Sequence, residues 1–216
     1  MDGQNFISMV LGETGVGKSA FINAINQKRE FKISDGPYNC TKHIQAVIRK
    51  YNGQSFIFID TPGFSSPNEE EKEDAFMEIK YSFRLHKDRI RCILILKNFN
   101  DRRIWRNEFE FIQRIMDCFP APNFWKHVLI IYTHCYKGEY RFEHEKKNME
   151  KFVNALHSED QQKFMMKRNI YMPLTVDEFF VDCDNDDLKE TFENNKDEFE
   201  KIFFAIKSRK PMFDDK

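Results

Sequence analysis

The sequence lacks the features that would mark it for several common roles. It has no charge excess, since 34 lysines and arginines meet 35 aspartates and glutamates for a net charge of −1. A chain so balanced has no overall field to draw it to nucleic acid or to an anionic membrane. It has no cysteine pattern. Cys40, Cys92, Cys118, Cys135 and Cys183 are odd in number, far apart and never spaced C-x-x-C. That argues against a zinc site or a disulfide framework and for a reducing, cytoplasmic setting. No apolar run approaches the roughly 18 residues of a spanning helix. The opening residues, Met1 to Asn5, are polar and lead into a strand, unlike a secretory leader. Internal repeats and low-complexity segments are missing as well. Membrane association is therefore expected only through sequence or partners outside this chain. What the chain does have is phenylalanine, 23 in 216 residues, which reads as a core filled with rings.

The length suits one domain, expected over residues 1–208 with a tail at 209–216. Phe6 to Leu11 is a short apolar run ending at a glycine, a buried strand by pattern. Lys18 to Asn26 carries Phe21, Ile22 and Ile25 on one helical face. Residues 28–42 are polar and interrupted by Gly36-Pro37, a loop. Ile44, Ala46 and Ile48 alternate with polar residues, then Asn52-Gly53 precedes Phe56 to Ile59, which predicts a hairpin. Residues 61–74 read as a further loop, followed by a helix over Ala75 to Lys87. Cys92 to Leu96 and Val128 to Tyr132 read as central strands, with a helix through Phe109 to Phe119 between them. Helices are expected over Phe142 to Leu156 and Gln161 to Lys167, a strand over Glu178 to Cys183, and one long helix from Leu188 to Ile206. Apolar strands alternating with helices imply an α/β fold with a mostly parallel sheet covered on both faces, and the hairpin adds one antiparallel strand.

The strongest local signal is Gly12-Glu13-Thr14-Gly15-Val16-Gly17-Lys18-Ser19, a full Walker A match between a predicted strand and a predicted helix. Each piece has a physical reason. Glycines let successive backbone N–H groups turn inward on phosphates. The helix that starts there, from Lys18 through Ala20, adds the partial positive charge of its N-terminus. Lys18 is placed to reach the β and γ phosphates, and the Ser19 hydroxyl to ligate Mg2+. An ordinary glycine turn would explain the glycines but not the lysine and hydroxyl at this spacing.

Asp60-Thr61-Pro62-Gly63 follows the strand of the hairpin. An acid at such a strand end can hold Mg2+ through water, and Gly63 allows a backbone N–H to approach the γ phosphate. Release of that phosphate frees the loop, which makes a two-state element. Thr41 is the only threonine between Ser19 and Asp60. It is a candidate γ-phosphate sensor and an additional Mg2+ ligand, against the bland reading of a strand-start threonine.

These motifs, Gly12 to Ser19 together with Asp60-Thr61-Pro62-Gly63-Phe64, resemble the immunity-associated (AIG-type) GTPases, relatives of the chloroplast-import GTPases and the septins. The segment Cys92 to Phe119, with Leu94-Ile95-Leu96-Lys97, Arg102-Arg103 and an amphipathic helix, is similar to that family's box between two motifs. The resemblance runs from Phe6 to about Phe203. It implies a three-layer, Ras-like P-loop fold, GTP/GDP and Mg2+ as ligands, and a nucleotide-dependent homodimer.

Base reading departs from the usual small-GTPase pattern. The strand Val128 to Tyr132 ends in Thr133-His134-Cys135-Tyr136, with no aspartate at Tyr136 to accept the guanine N–H groups. The import-type relatives also carry Thr-His, so Thr133 and His134 are assigned to nucleotide binding, with His134 a candidate to stack on the base. Asp184 and Asn185 are candidates for the missing contact, against the bland reading of a helix-capping loop, and Glu139 is a weaker one. The position after Asp-x-x-Gly, a glutamine in many GTPases, is Phe64, which cannot orient water. Slow turnover follows, with Lys18, Thr41 and Arg103 assigned to the reaction. Arg102 and Arg103 are candidates to act across a dimer, or are simply solvated at a helix start. A GTP-dependent scaffold with negligible hydrolysis and an ATP-using P-loop enzyme are the alternatives.

Overall fold

Six strands and the helices between them follow the apolar periodicity of the chain. The computed structural model describes residues 5–31, 43–64, 68–100, 106–118, 121–135, 154, 158–167, 170, 176–183 and 187–213. The elements are β1 (Asn5–Leu11), α1 (Lys18–Asn26), β2 (Gln45–Tyr51), β3 (Gln54–Asp60), α2 (Glu69–His86), β4 (Ile90–Asn98) and α3 (Arg106–Cys118). They continue with a 3-10 turn (Phe124–His127), β5 (Val128–Thr133), α4 (Glu159–Met166), β6 (Asp177–Phe180), α5 (Leu188–Asn194) and α6 (Lys196–Ser208).

Among the described residues the sheet runs β2-β3-β1-β4-β5-β6. Only β2 and β3 pair antiparallel; every other neighbouring pair is parallel. The hairpin turn has Asn52 at φ 47° and Gly53 at φ 74°, the left-handed pair that matches strand twist in a two-residue turn. Because β1 lies between β3 and β4, the chain reverses its winding direction there. Crevices at such a switch point, at the carboxyl ends of parallel strands, are where open α/β sheets bind ligands. The segments that follow β1, β3, β4 and β5 all start from that edge.

Alternation along β1 divides the core. Ile7, Met9 and Leu11 join one apolar cluster with Phe76, Ile79 and Phe83 of α2 and Phe111, Ile112 and Ile115 of α3. Phe6 and Val10 join the other, with Phe21 and Ile22 of α1 and Phe199, Ile202 and Phe203 of α6. Most of the described phenylalanines do fill the core, Phe204 being an exposed exception. Phe203 lies against Phe56 at 4.7 Å and Phe21 against Phe199 at 6.1 Å between ring centroids. Residues 212 and 213 are held against the sheet layers too: the Met212 N–H donates to the Ile90 carbonyl at 2.8 Å, and Phe213 meets the Phe83 ring edge-on. No described helix is long and apolar enough to cross a membrane.

Two expectations need revision. The acidic run does not lie in a loop: α2 starts at Glu69, because the Asn68 side chain accepts the Glu70 N–H at 2.9 Å. Glu69, Glu70 and Glu71 then occupy the first turn, where negative charge favours the helix. The long C-terminal helix is two helices broken at Asn195. Its side chain takes the Asp182 N–H at 2.9 Å and donates to the carbonyls of Asp182 and Thr191 at 2.7 and 2.8 Å, so it competes with the helical backbone for partners. The helix expected over residues 142–156 lies outside the described residues, apart from Asn154.

Candidate nucleotide site

The loop between β1 and α1 is shaped by what its glycines allow. Gly17 takes φ 88° as the first cap of α1 and Gly15 takes φ 77°, conformations that a side chain disfavours. A Cβ at Gly12 would lie 2.8 Å from both the Leu96 carbonyl and the Val16 side chain, so here the requirement is space. No side chain caps α1; its first N–H groups stay directed toward the loop, the arrangement that receives anionic oxygens.

Lys18 is 7% exposed, and its Nζ donates to the carbonyls of Gly12 and Glu13 at 3.0 and 2.8 Å. Burial pushes its pKa down to about 8, against the opposing pull of Asp60 and Glu13. A desolvated ammonium lying along the loop is set to gain from an incoming polyanion. One residue on, the Ser19 hydroxyl donates to Asp60 Oδ2 at 2.8 Å, and Asp60 is fully buried at the end of β3. A hydroxyl and a carboxylate are hard oxygen donors. Together with phosphate oxygens they suit Mg2+, which is held through few protein ligands and several waters. The residues present therefore fit a Mg–nucleotide.

Gly63 closes the other side. A Cβ there would strike the Thr14 side chain and sit 2.6 Å from its backbone N and Cα. Its backbone therefore lies directly against the phosphate loop. Thr61 is buried, and its hydroxyl donates to the Val10 carbonyl at 2.7 Å, tying this segment to β1. Phe64 turns away from the loop: it is 7% exposed and stacks on Phe111 of α3 with centroids 3.9 Å apart and planes at 11°.

At the end of β5 the two assigned residues are placed differently. Thr133 is 1% exposed, and its hydroxyl reaches the carbonyls of Val16 at 2.7 Å and Lys97 at 3.1 Å. It acts as a strut under the phosphate loop. His134 adopts a left-handed φ of 56°, and its carbonyl accepts the Asn100 amide at 3.0 Å. Its ring lies beside the Gly17 turn, with Nε2 3.4 Å from where a Gly17 Cβ would be. Thr41, Arg102, Arg103, Glu139, Asp184 and Asn185 lie outside the described residues. The others come together: Gly12 to Ala20, Asp60, Gly63 and His134 gather at the phosphate loop, with Thr133 beneath it.

Some contributors carry no motif signal. Asn23, buried in α1, accepts the Glu30 and Phe31 N–H groups at 3.0 Å each and donates to the Phe31 carbonyl at 2.9 Å, fixing the chain as it leaves α1. Asn100 holds His134, and Asn195 holds Asp182 where the chain leaves β6. An asparagine inside an amphipathic helix reads as an ordinary polar residue unless its burial is known.

The AIG1 family model matches residues 7–172. The chain belongs to the AIG1 family. It is 32% identical over 113 residues to the GTPase Era of Ureaplasma parvum, an alignment that takes 51% of this chain and 35% of Era. The chain thus spans about a third of that curated relative. Among solved structures it resembles Toc33 from Arabidopsis thaliana in complex with GDP and Mg2+, at TM-score 0.69 and 18% identity over 97% of this chain and 87% of Toc33. It also resembles a dimerization-deficient, arginine-to-alanine mutant of Toc33 at TM-score 0.65 and 20% identity, over 95% and 84% of the two chains. These structural likenesses establish the P-loop GTPase fold of the family.

Proposed function

We propose that this protein is a GTP-binding switch that hydrolyses GTP slowly with Mg2+ and is regulated by nucleotide-dependent self-association. One observation carries the reading. Strand β1, helix α1 and strand β3 set Lys18, hydrogen-bonded to the Gly12 and Glu13 carbonyls of the glycine loop, next to the Ser19–Asp60 hydrogen-bonded pair. Family membership supports guanine nucleotide over adenine nucleotide, as does Asp60-Thr61-Pro62-Gly63 in place against the loop. Lys18 would neutralise phosphate charge, Ser19 and Asp60 would hold Mg2+, and Gly63 would sense the γ phosphate. Mg2+ would supply neutralisation of phosphate charge. His134, braced by Asn100, offers its ring to the base.

Slow turnover is inferred from Phe64, whose buried ring has no means of orienting an attacking water. The same observation favours a second reading, a GTP-dependent scaffold that scarcely turns over. A dimer that supplies Arg103 or Arg102 in trans is supported by the dimerization-deficient arginine mutant of Toc33.

Equilibrium titration with fluorescent GTP and GDP in Mg2+, with ATP as competitor, tests the binding claim. Lys18→Ala should abolish affinity, and tight binding retained by that variant would refute the phosphate-loop assignment. Turnover per molecule that climbs with protein concentration supports the dimer-activated enzyme. A flat, near-zero rate at every concentration supports the scaffold.

A further inference from the structure

A static crevice does not explain how γ-phosphate contact is kept in register, and the aromatic residues behind Gly63 bear on this. Gly63 is confined on one side by Thr14 of the phosphate loop. On its other side, one peptide bond away, the Phe64 ring is stacked face to face on Phe111. Phe111 is held in turn: the Phe76 ring of α2 meets it edge-on at 6.2 Å and 85°. Arg114 of α3 lies 3.8 Å over the Phe76 ring and pairs with Glu73 of α2 at 2.6 Å. Phe64 therefore stacks on a ring of α3 that α2 supports from its edge, and Phe111 is 6% exposed.

We propose that Phe111 is a positioning residue for γ-phosphate recognition: by clamping the Phe64 ring it fixes the Gly63 N–H over the phosphate loop. This rests on the reading of Gly63 as the γ-phosphate sensor. The physical argument is mechanical. A residue in the middle of a loop has many positions open to it. Gly63 is limited by contact at Thr14 and by the neighbouring Phe64 ring, which is buried and stacked on Phe111. Stacked rings have a preferred offset and separation, so the stack fixes direction as well as depth. Such a clamp matters to a triphosphate and is indifferent to a diphosphate, because Lys18, Ser19 and the loop amides do not depend on it. The side chain that displaces the usual glutamine thus becomes the anchor of the sensor, with α3 as its seat.

The test compares affinity for GMPPNP with affinity for GDP in the full chain with Mg2+, using wild-type protein, Phe111→Leu, Phe64→Leu, the double variant, Phe111→Tyr and Ile115→Ala. Ile115, 1% exposed on the same helix, reports a general loss of α3 packing. Phe111→Leu and Phe64→Leu should each lower the GMPPNP preference by about two- to tenfold, the range an aromatic pair contributes, with GDP affinity unchanged. The double variant should lose no more than either single one, and Phe111→Tyr, which keeps the ring, should retain the preference. Should Phe111→Leu fail to fold, Phe64→Leu carries the same comparison from the outer side of the stack. The proposal is overturned if either leucine variant keeps wild-type preference, or if Ile115→Ala loses as much. Wild-type protein that binds both nucleotides with no preference refutes Gly63 as sensor, and protein that binds neither refutes the nucleotide site itself.

Discussion

Replacing Lys18 by methionine should stabilise the nucleotide-free protein while removing its affinity for nucleotide. The lysine is buried, and its pKa falls from 10.5 to about 8 because desolvation outweighs the attraction of Asp60 and Glu13. Each pKa unit corresponds to about 1.4 kcal/mol, so holding the ammonium charged at neutral pH costs the folded state roughly 3 kcal/mol. Against this stand its two hydrogen bonds to the Gly12 and Glu13 carbonyls, whose loss returns about 1 kcal/mol each way of destabilisation. A net gain of about 1–2 kcal/mol remains for the unbranched, neutral methionine. The pH dependence has a definite sign. Between about 8 and 10.5 the unfolded chain holds the proton that the folded chain has released, so wild-type stability from this group rises with pH across that window and is flat below it. The advantage of Lys18→Met should therefore be largest at pH 7 and shrink toward pH 10. Urea unfolding of both proteins without nucleotide, followed by tryptophan fluorescence from pH 7 to 10, measures the difference. The reasoning is refuted if the variant is less stable at pH 7, or if the gap does not change with pH.

Further outcomes follow from contacts elsewhere. Gly63→Ala forces a methyl to within 2.6 Å of the Thr14 backbone; GTP affinity should drop at least about tenfold, the scale of a 1–3 kcal/mol overpacking cost, with a smaller loss for GDP, as read by stopped-flow dissociation. Ser8 is fully buried on β1 with a hydroxyl that meets no hydrogen-bond partner, so Ser8→Ala should leave the urea midpoint unchanged or raise stability by about 1 kcal/mol. Asn195→Ala removes three side-chain hydrogen bonds between the α5–α6 break and the end of β6, and thermal unfolding should show a loss of about 2–3 kcal/mol. Asp60→Asn should weaken Mg2+ support of nucleotide binding by tenfold or more, on the scale of a lost charge-assisted contact, seen as nucleotide affinity that no longer responds to EDTA.

Most of the fold was readable because its signals are local. The strands around β1 are continuous apolar runs, the Asn52-Gly53 turn dictates its hairpin, and the phosphate loop needs glycines at fixed offsets. The places that were not readable depend on partners distant in sequence. Asn195 looks like any polar helix residue until Asp182 is beside it. Glu69 to Glu71 look like a solvated loop unless Asn68 is recognised as a cap. In the site, Gly12 to Ser19 and Asp60 announce themselves by spacing. Thr133 is legible from sequence only as a nucleotide-site residue; its burial and its bond to the Val16 carbonyl, which set it beneath the loop, depend on partners distant in the chain. Phe64 was read from sequence only as a missing glutamine, since nothing in the chain order connects it to Phe111.

The tie between Met212 and Ile90 has a practical consequence. Ile90 opens β4 and Asn98 ends it next to the crevice, eight residues away, or about 26 Å at the rise of a strand. Met212 thus lies at the pole opposite the phosphates. A dye coupled at residue 213 would stand at mid-range for energy transfer to a fluorescent nucleotide, and an immobilising tether there would leave the mouth of the crevice facing solution.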